Sequence, residues 1–189
     1  MKFFNKNFFI GLVTGLILMI LIIIVGGYIL SRSFTSRTGG KLASMLPPPP
    51  FPTHTTIDYH WRVRGLDGKE FDVVQTKGKV IFLNFWATWC PPCVDEMPSI
   101  QRLYDKLKSE EILFMCVSEE GRTIISEFIK EKEFTFPVYS VIGEKPRVFR
   151  TRGIPATFII SRDGQIVFKH VGAAKWDHKT SIDFIKGLM

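Results

Sequence analysis

Residues 84–98 read NFWATWCPPCVDEMP and place two cysteines two residues apart, directly after an apolar run. The chain of 189 residues has three cysteines in total, so the close spacing of Cys90 and Cys93 needs a chemical reason. Three reasons compete: a metal site, a structural disulfide and a redox-active pair. The residues around the pair distinguish between them.

A metal site is disfavoured by the supply of ligands. Zinc and iron–sulfur sites use four ligands, whereas Cys116 stands alone in an apolar run and the histidines have no paired spacing. A structural disulfide is disfavoured because closing so short a loop removes little chain entropy from the unfolded state. The redox-active pair is favoured, and no metal ligand is assigned.

The position of the pair supports redox chemistry. Residues 79–86, KVIFLNFW, are typical of a strand buried on both faces. A helix is predicted to follow, because Pro91 and Pro92 suit the first helical positions and apolar residues then recur at helical spacing. At the helix N-terminus, free N–H groups and the helix dipole would lower the pKa of Cys90, while Cys93 would be shielded one turn inside.

This asymmetry gives the two thiols different roles. Cys90 is expected to attack a substrate disulfide, and Cys93 is expected to attack the resulting mixed disulfide and release the reduced product. Cys116 is expected to be a small core residue, because free cysteines are often buried and inert.

The pattern after residue 55 predicts one α/β domain over residues 56–189. Strand–helix–strand alternation followed by a hairpin predicts a mixed β-sheet flanked by helices on both faces. One predicted helix, over residues 123–133, is expected to direct Ile124, Ile125, Phe128 and Ile129 inward. In chain order the elements are a hairpin at 59–74, a strand at 79–86, the helix after Cys90, a strand at 112–118, the helix at 123–133, a hairpin around 162–165 and a helix at 176–189.

The first 55 residues differ from this domain in composition. Residues 8–30 contain no charge, and since roughly 20 apolar residues span a bilayer, a single transmembrane helix is predicted after a tail of residues 1–7. The run is longer than the apolar core of a cleaved signal peptide and is not followed by a small-residue cleavage site. Residues 31–55 are rich in Ser, Thr, Gly and Pro, which predicts a linker between anchor and domain.

The net charge of +7 does not indicate nucleic-acid binding. Residues 1–52 hold five basic and no acidic residues, which leaves 20 basic against 18 acidic residues in the remainder. No basic cluster interleaved with aromatics follows, so nucleic acid is not expected as a partner. Positive charges flank the span on both sides and leave its orientation open, whereas a signal-anchor would export the domain.

FWATWCPPC at residues 85–93, with Pro98 and a later GIPATF at residues 153–158, closely resembles the thioredoxin superfamily. Within it the chain is similar to the membrane-tethered TlpA/ResA-like branch, with the cytochrome c maturation reductases as relatives. The resemblance covers about residues 56–189 and implies a thioredoxin-like sheet. It implies a cis-proline at Pro155 facing the disulfide. The substrate surface would comprise Trp89, Pro91, Pro92, Ile154 and Pro155.

Thioredoxins proper bury an aspartate six residues before the first cysteine, where it accepts the proton of the second thiol. Asn84 stands there in this chain and cannot accept a proton. The TlpA/ResA-like branch often carries a glutamate three residues after the second cysteine, and Glu96 occupies that position. Two interpretations of Glu96 stay open: a proton acceptor whose pKa is raised by burial, and a solvated helix carboxylate.

The resemblance implies a membrane-anchored thiol-disulfide oxidoreductase acting on protein disulfides at the extracytoplasmic (periplasmic or outer) side of a bacterial inner membrane. A reductase without a cofactor is preferred, with apocytochrome c as one candidate substrate and a transmembrane thiol-disulfide transporter as one candidate electron donor. An oxidant that introduces disulfides stays open, because direction depends on the reduction potential. A copper-delivery protein also stays open, although such relatives space their cysteines by three residues and add a histidine ligand.

Overall fold

The structure, a computed structural model, describes residues 15, 18–25, 55–57, 59–109 and 111–189. Residues 15 and 18–25 of the predicted anchor are helical, while its other positions, the tail 1–7 and the linker up to residue 54 lie outside the described residues. Among the residues described, no helix is long and apolar enough to cross a bilayer. The chain divides into two compact units, Met1–Ala43 and Ser44–Met189, and the cysteines lie in the second.

The second unit contains a mixed β-sheet, as predicted. Its described strands lie side by side in the order β2-β1-β5-β4-β3-β6-β7. The neighbours β3, β4 and β5 are parallel, and the other adjacent pairs are antiparallel. In chain order the strands are β1 (Arg62–Gly65), β2 (Glu70–Asp72), β3 (Val80–Trp86), β4 (Ile112–Ser118), β5 (Val138–Val141), β6 (Ala156–Ile160) and β7 (Ile166–Val171).

The interior strand β3 positions the cysteine pair. All seven of its residues are buried, because β4 and β6 pair with its two edges and side chains cover both of its faces. A strand in this position has no solvated face, which explains the continuous apolar run in its sequence. The chain leaves the sheet after Trp86 and enters the first α-helix at Pro91.

The α-helices of the described domain lie on one face of the sheet. They are α1 (Pro91–Leu107), α2 (Arg122–Glu131) and α3 (Lys179–Lys186). Each contributes apolar side chains to the same hydrophobic cluster as Phe82 of β3 and Phe114 of β4. The active-site helix α1 therefore packs directly on the strand that precedes it.

The opposite face is covered by shorter elements. Ile57 and Trp61, from the segment before β1, belong to the hydrophobic cluster on this face. Two 3-10 helices, Val73–Thr76 and Arg147–Phe149, each add a buried apolar side chain to it. Helices thus flank both faces as predicted, but those on the second face are single 3-10 turns.

The structure corrects the sequence interpretation at two points. Strand β5 was not predicted, because it has four residues and its alternating burial gives only a short signal. The prediction that Ile124 faces inward is wrong: its side chain is 53% exposed, whereas Ile125 and Ile129 are buried. Consecutive helical residues point about 100° apart, so a stripe centred on Ile125 and Ile129 leaves Ile124 outside it.

Candidate active site

The cysteine pair lies at the N-terminus of α1. Cys90 and Cys93 form a disulfide with their Cα atoms 5.3 Å apart. Cys90 is the N-cap residue with an extended backbone, and Pro91 and Pro92 occupy the first helical positions. At these positions the missing proline N–H removes no intrahelical hydrogen bond, so the sequence Cys-Pro-Pro-Cys is compatible with a regular helix start.

The two sulfurs differ in access. Cys90 keeps 4% of its surface exposed and Cys93 keeps none, so an incoming sulfur meets Cys90 first. Trp89, the residue before Cys90, is 71% exposed and is the most exposed large apolar side chain described in the domain. Both cysteines lie at the helix start predicted for them, and the exposed Trp89 adjoins Cys90, while the roles of the three residues stay predictions.

The loop before β6 lies against the disulfide. The Ile154–Pro155 peptide bond is cis, as the resemblance implied. The carbonyl oxygen of Ile154 is 3.7 Å from Sγ of Cys90. This contact is possible because β6 pairs antiparallel with β3 and brings its N-terminal loop to the end of β3 where the cysteines follow. The backbone of Ile154 is therefore available to a polypeptide whose sulfur approaches Cys90.

Glu96 is buried, with 3% of its surface exposed, and the structure thus excludes the solvated interpretation. Its Oε1 accepts a hydrogen bond from Asn84 Nδ2 at 2.8 Å. Its Oε2 accepts hydrogen bonds from Trp176 Nε1 at 2.9 Å and from the backbone N–H of Ala174 at 3.0 Å. Because Glu96 is three residues after Cys93 in α1, both side chains lie on the same helix face.

The pKa of Glu96 is set by two opposing effects. Burial in the apolar interior is the larger effect and raises the pKa, because the charged form loses its hydration, and the net pKa is about 7 against an ordinary value of 4.5. The hydrogen bonds from Trp176, Ala174 and Asn84 favour the carboxylate and lower the pKa, although less than burial raises it. A carboxyl group with this pKa exchanges a proton readily at neutral pH.

Asn84 orients the carboxylate of Glu96. Its Nδ2 uses its second hydrogen to bond Thr157 Oγ1 of β6 at 2.9 Å, so the amide is held from two sides. Its Oδ1 is buried without a hydrogen-bond partner among the described residues. Sequence reasoning treated Asn84 only as a lost proton acceptor and missed the contacts of Glu96 with Ala174 and Trp176, which no local motif indicates.

Cys116 is a free, fully buried cysteine, which confirms its prediction as a core residue. It pairs with Asn84 across β3 and β4. Burial, and then the charge of Glu96, hold the pKa of its thiol well above the ordinary value. Because the thiolate is the reactive form, Cys116 is expected to be inert in the folded protein.

A groove of about 320 Å³ runs beside the disulfide, lined in part by Trp86, Trp89, Ile154 and Arg152. Its rim is held by Glu120, which accepts hydrogen bonds from N and Oγ1 of Thr88, both at 2.7 Å. These bonds fix the connection between β3 and α1. In the described part of the chain, no three His, Cys, Asp or Glu side chains are grouped to hold a metal ion.

A sequence model of the Redoxin family matches residues 50–183. Thiol-disulfide oxidoreductase ResA of a Bacillus cereus strain is 35% identical over 114 residues, 58% of this chain and 65% of that protein, so the match spans just under two thirds of its length. Thiol-disulfide oxidoreductase ResA of Geobacillus thermodenitrificans is 29% identical over 90% of this chain and 92% of that protein.

Among solved structures, a thiol:disulfide interchange protein of the thioredoxin family from Chlorobium tepidum TLS superposes with a TM-score of 0.58. It is 27% identical in sequence, and the match covers 75% of this chain and 99% of that one. The mixed sheet and the helix that follows β3 thus belong to a thioredoxin-like fold.

Proposed function

The chain belongs to the Redoxin family, and from this premise we propose that it is a thiol-disulfide oxidoreductase acting on protein disulfides through Cys90 and Cys93. The observation that carries the proposal is the buried carboxyl of Glu96, with a pKa of about 7, on the helix face of the shielded cysteine. A disulfide that only stabilised the fold would need no proton acceptor behind it.

In the first step the reduced Cys90 attacks the substrate. Its thiolate, stabilised at the N-terminus of α1, forms a bond to one sulfur of the substrate disulfide, and the second substrate sulfur leaves as a thiolate that takes a proton from water. The Ile154 backbone, beside Cys90 Sγ, is placed to align the substrate chain. The product is a mixed disulfide between Cys90 and the substrate.

In the second step Cys93 resolves the mixed disulfide. Glu96 in its carboxylate form accepts the thiol proton of Cys93, and the resulting thiolate attacks Sγ of Cys90. The Cys90–Cys93 disulfide forms, and the remaining substrate sulfur leaves as a thiolate and is protonated. Two electrons have passed from the dithiol to the substrate, so an external dithiol must reduce Cys90–Cys93 before the next cycle.

The proposed cellular setting is the extracytoplasmic side of a bacterial inner membrane. The uncharged run of residues 8–30 supports an anchor there, and residues 31–55 supply a linker. The ResA relatives are named thiol-disulfide oxidoreductases, and this name supports the type of reaction. The direction, reduction of the substrate, is part of the proposal. Apocytochrome c as substrate and a transmembrane thiol-disulfide transporter as electron donor are the corresponding proposed partners.

Trapping tests the proposed activity. A Cys93→Ser variant expressed in the native membrane should accumulate mixed disulfides between Cys90 and its substrates, because the resolving thiol is absent. The adducts should disappear on reduction and should be missing from the Cys90→Ser,Cys93→Ser double variant. If affinity purification followed by mass spectrometry recovers no disulfide-linked protein from the single variant, the protein-substrate proposal fails.

The reduction potential tests the direction. The full chain in detergent is equilibrated in thiol–disulfide buffers, and tryptophan emission reports the redox state because Trp89 adjoins Cys90. A midpoint near or below about −250 mV is expected for a reductase. A midpoint near about −120 mV would identify an oxidant that introduces disulfides and would reject the reductase proposal.

A further inference from the structure

A second surface depression adjoins the active-site loop. It is lined by Arg150, Thr151, Arg152, Lys169 and Val171. Thr151 and Arg152 also line the groove that contains Trp89 and Ile154. The two depressions therefore share part of their walls, and a polypeptide bound in the first over Cys90 would pass next to the second.

The charged side chains that line this depression are all positive. Its ionisable lining side chains are Arg150, Arg152 and Lys169, and no carboxylate of the described residues lines it. Arg150 is neutralised by Glu144, with a nitrogen–oxygen distance of 3.0 Å. For the other two cations the described residues supply no ion pair. Arg152 and Lys169 thus present two positive charges outside the ion pairs of the described residues. The adjoining groove contains two carboxylates, of which Glu119 is paired with Lys145 and Glu120 is held by Thr88.

The chemistry of the depression suits a peptide. The ammonium of Lys169 lies 5.3 Å from the centre of the Phe158 ring, which holds the side chain over β6. Val171, 47% exposed, adds an apolar surface next to the cations. A lysine on an edge strand such as β7 commonly serves to prevent strand addition, but this explanation does not apply to Arg152, which lies in the loop before the cis-proline.

We propose that the depression formed by Arg152, Lys169 and Val171 binds an acidic segment next to the cysteine of the substrate polypeptide, so that the enzyme selects its substrates by charge. The inference rests on the proposed function and adds the substrate class to it. Arg152 and Lys169 act on recognition, since complementary charges accelerate encounter and fix register, while Cys90 and Cys93 perform the chemistry.

The test compares three synthetic peptides with the full-length reduced protein in neutral detergent. Each peptide carries one disulfide, and the residues flanking its cysteines are Glu, Gln or Lys. The second-order rate constant of disulfide reduction is measured at about 20 mM and about 500 mM salt, where screening weakens surface charge effects. The variants are Arg152→Glu and Lys169→Glu, and Lys130→Glu is the matched control because Lys130 is an exposed cation on α2 without an ion pair in the described residues.

The wild type should reduce the Glu peptide about threefold faster than the Gln peptide at low salt, and the Lys peptide more slowly than either. High salt should diminish the difference, and Arg152→Glu or Lys169→Glu should abolish or invert the order while Lys130→Glu retains it. Equal rates for the three peptides, or an order insensitive to both variants, would overturn the inference and leave the proposed function standing. Reduction of none of the peptides would overturn both.

The same assay distinguishes an acidic peptide from anionic lipid as the ligand of the depression. A basic depression that faces anionic lipid would give equal rates for the three peptides, and the rates would change only when phosphatidylglycerol is added to the micelles. This result would also overturn the inference, because the depression would then bind the membrane surface and not the substrate.

Discussion

At the scale of single residues, the buried Glu96 is the proposed proton acceptor of the active site. With a pKa of about 7, its carboxyl is divided between the charged and neutral forms at neutral pH. It can therefore accept the proton of Cys93 during reduction of a substrate and return it in the reverse reaction. Three hydrogen-bond donors, from Asn84, Ala174 and Trp176, hold the carboxylate in one orientation for the forward and the reverse reaction.

Replacement of this acid gives a direct test. Glu96→Gln should lower the rate of mixed-disulfide resolution by about 10²-fold, because no group then accepts the thiol proton. The wild-type rate should rise with pH through about 7 as Glu96 ionises, and the variant should lack this rise. Stopped-flow kinetics from pH 5 to 9 measure both effects.

Asp95→Asn provides the matched control, because Asp95 is the exposed neighbour of Glu96 on the same helix. It removes the same charge from the molecule without touching the buried network. If the control and Glu96→Gln have the same pH profile, Glu96 is a structural residue and the assigned proton transfer is wrong.

Much of the site could be predicted from sequence because its signals are local. The Cys-Pro-Pro-Cys spacing at a strand–helix junction identifies Cys90, Cys93 and the helix start from adjacent residues. The contacts of Glu96 with Trp176 and Ala174 could not be predicted, since they join residues 80 and 78 positions apart. Only the packing of the segment between β7 and α3 against α1 creates them.

At the scale of elements, strands with a local sequence signal could be predicted, whereas strands formed by pairing with distant segments could not. Strand β3 was predictable because six of its seven residues are apolar, with Asn84 as the one polar residue. Strand β5 was not, because its four residues gain their place from pairing with β4 and β1, which are distant in sequence. Tertiary pairing, not intrinsic preference, determines such short strands.

The packing of α2 can be tested with two adjacent isoleucines. Ile125→Ala should lower the free energy of unfolding by about 2–5 kcal/mol, because it leaves a cavity in the cluster beneath the helix. Ile124→Ala should change it by less than about 0.5 kcal/mol, since that side chain is 53% exposed. Urea denaturation of both variants measures the difference, and equal losses would contradict the observed rotation of α2.

For the whole molecule, the raised pKa of Glu96 links stability to pH. The folded protein retains the Glu96 proton up to about pH 7, whereas the unfolded chain releases it near 4.5. The folded state therefore binds more protons between these values, and the free energy of unfolding should fall as the pH rises through this range, by about 3 kcal/mol, and then remain level.

Urea denaturation of the oxidised full chain at pH 5 and pH 8 measures this fall. His170 contributes in the opposite direction, because burial lowers its pKa and the folded state then binds fewer protons than the unfolded chain near pH 6. The difference between wild type and Glu96→Gln isolates the Glu96 contribution. A variant with the same pH dependence as the wild type would show that the carboxyl has no raised pKa.

The distance along the chain between Glu96 and two of its donors has a consequence for biosynthesis. Ala174 and Trp176 lie 78 and 80 residues after Glu96. A growing polypeptide therefore exposes both active-site thiols well before the residues that hold the acid have been translated. A nascent chain oxidised before Ala174 is translated would form its disulfide without the tuned carboxyl, and a chain that terminates before Ala174 would retain its cysteine motif but lose two of the donors that hold Glu96.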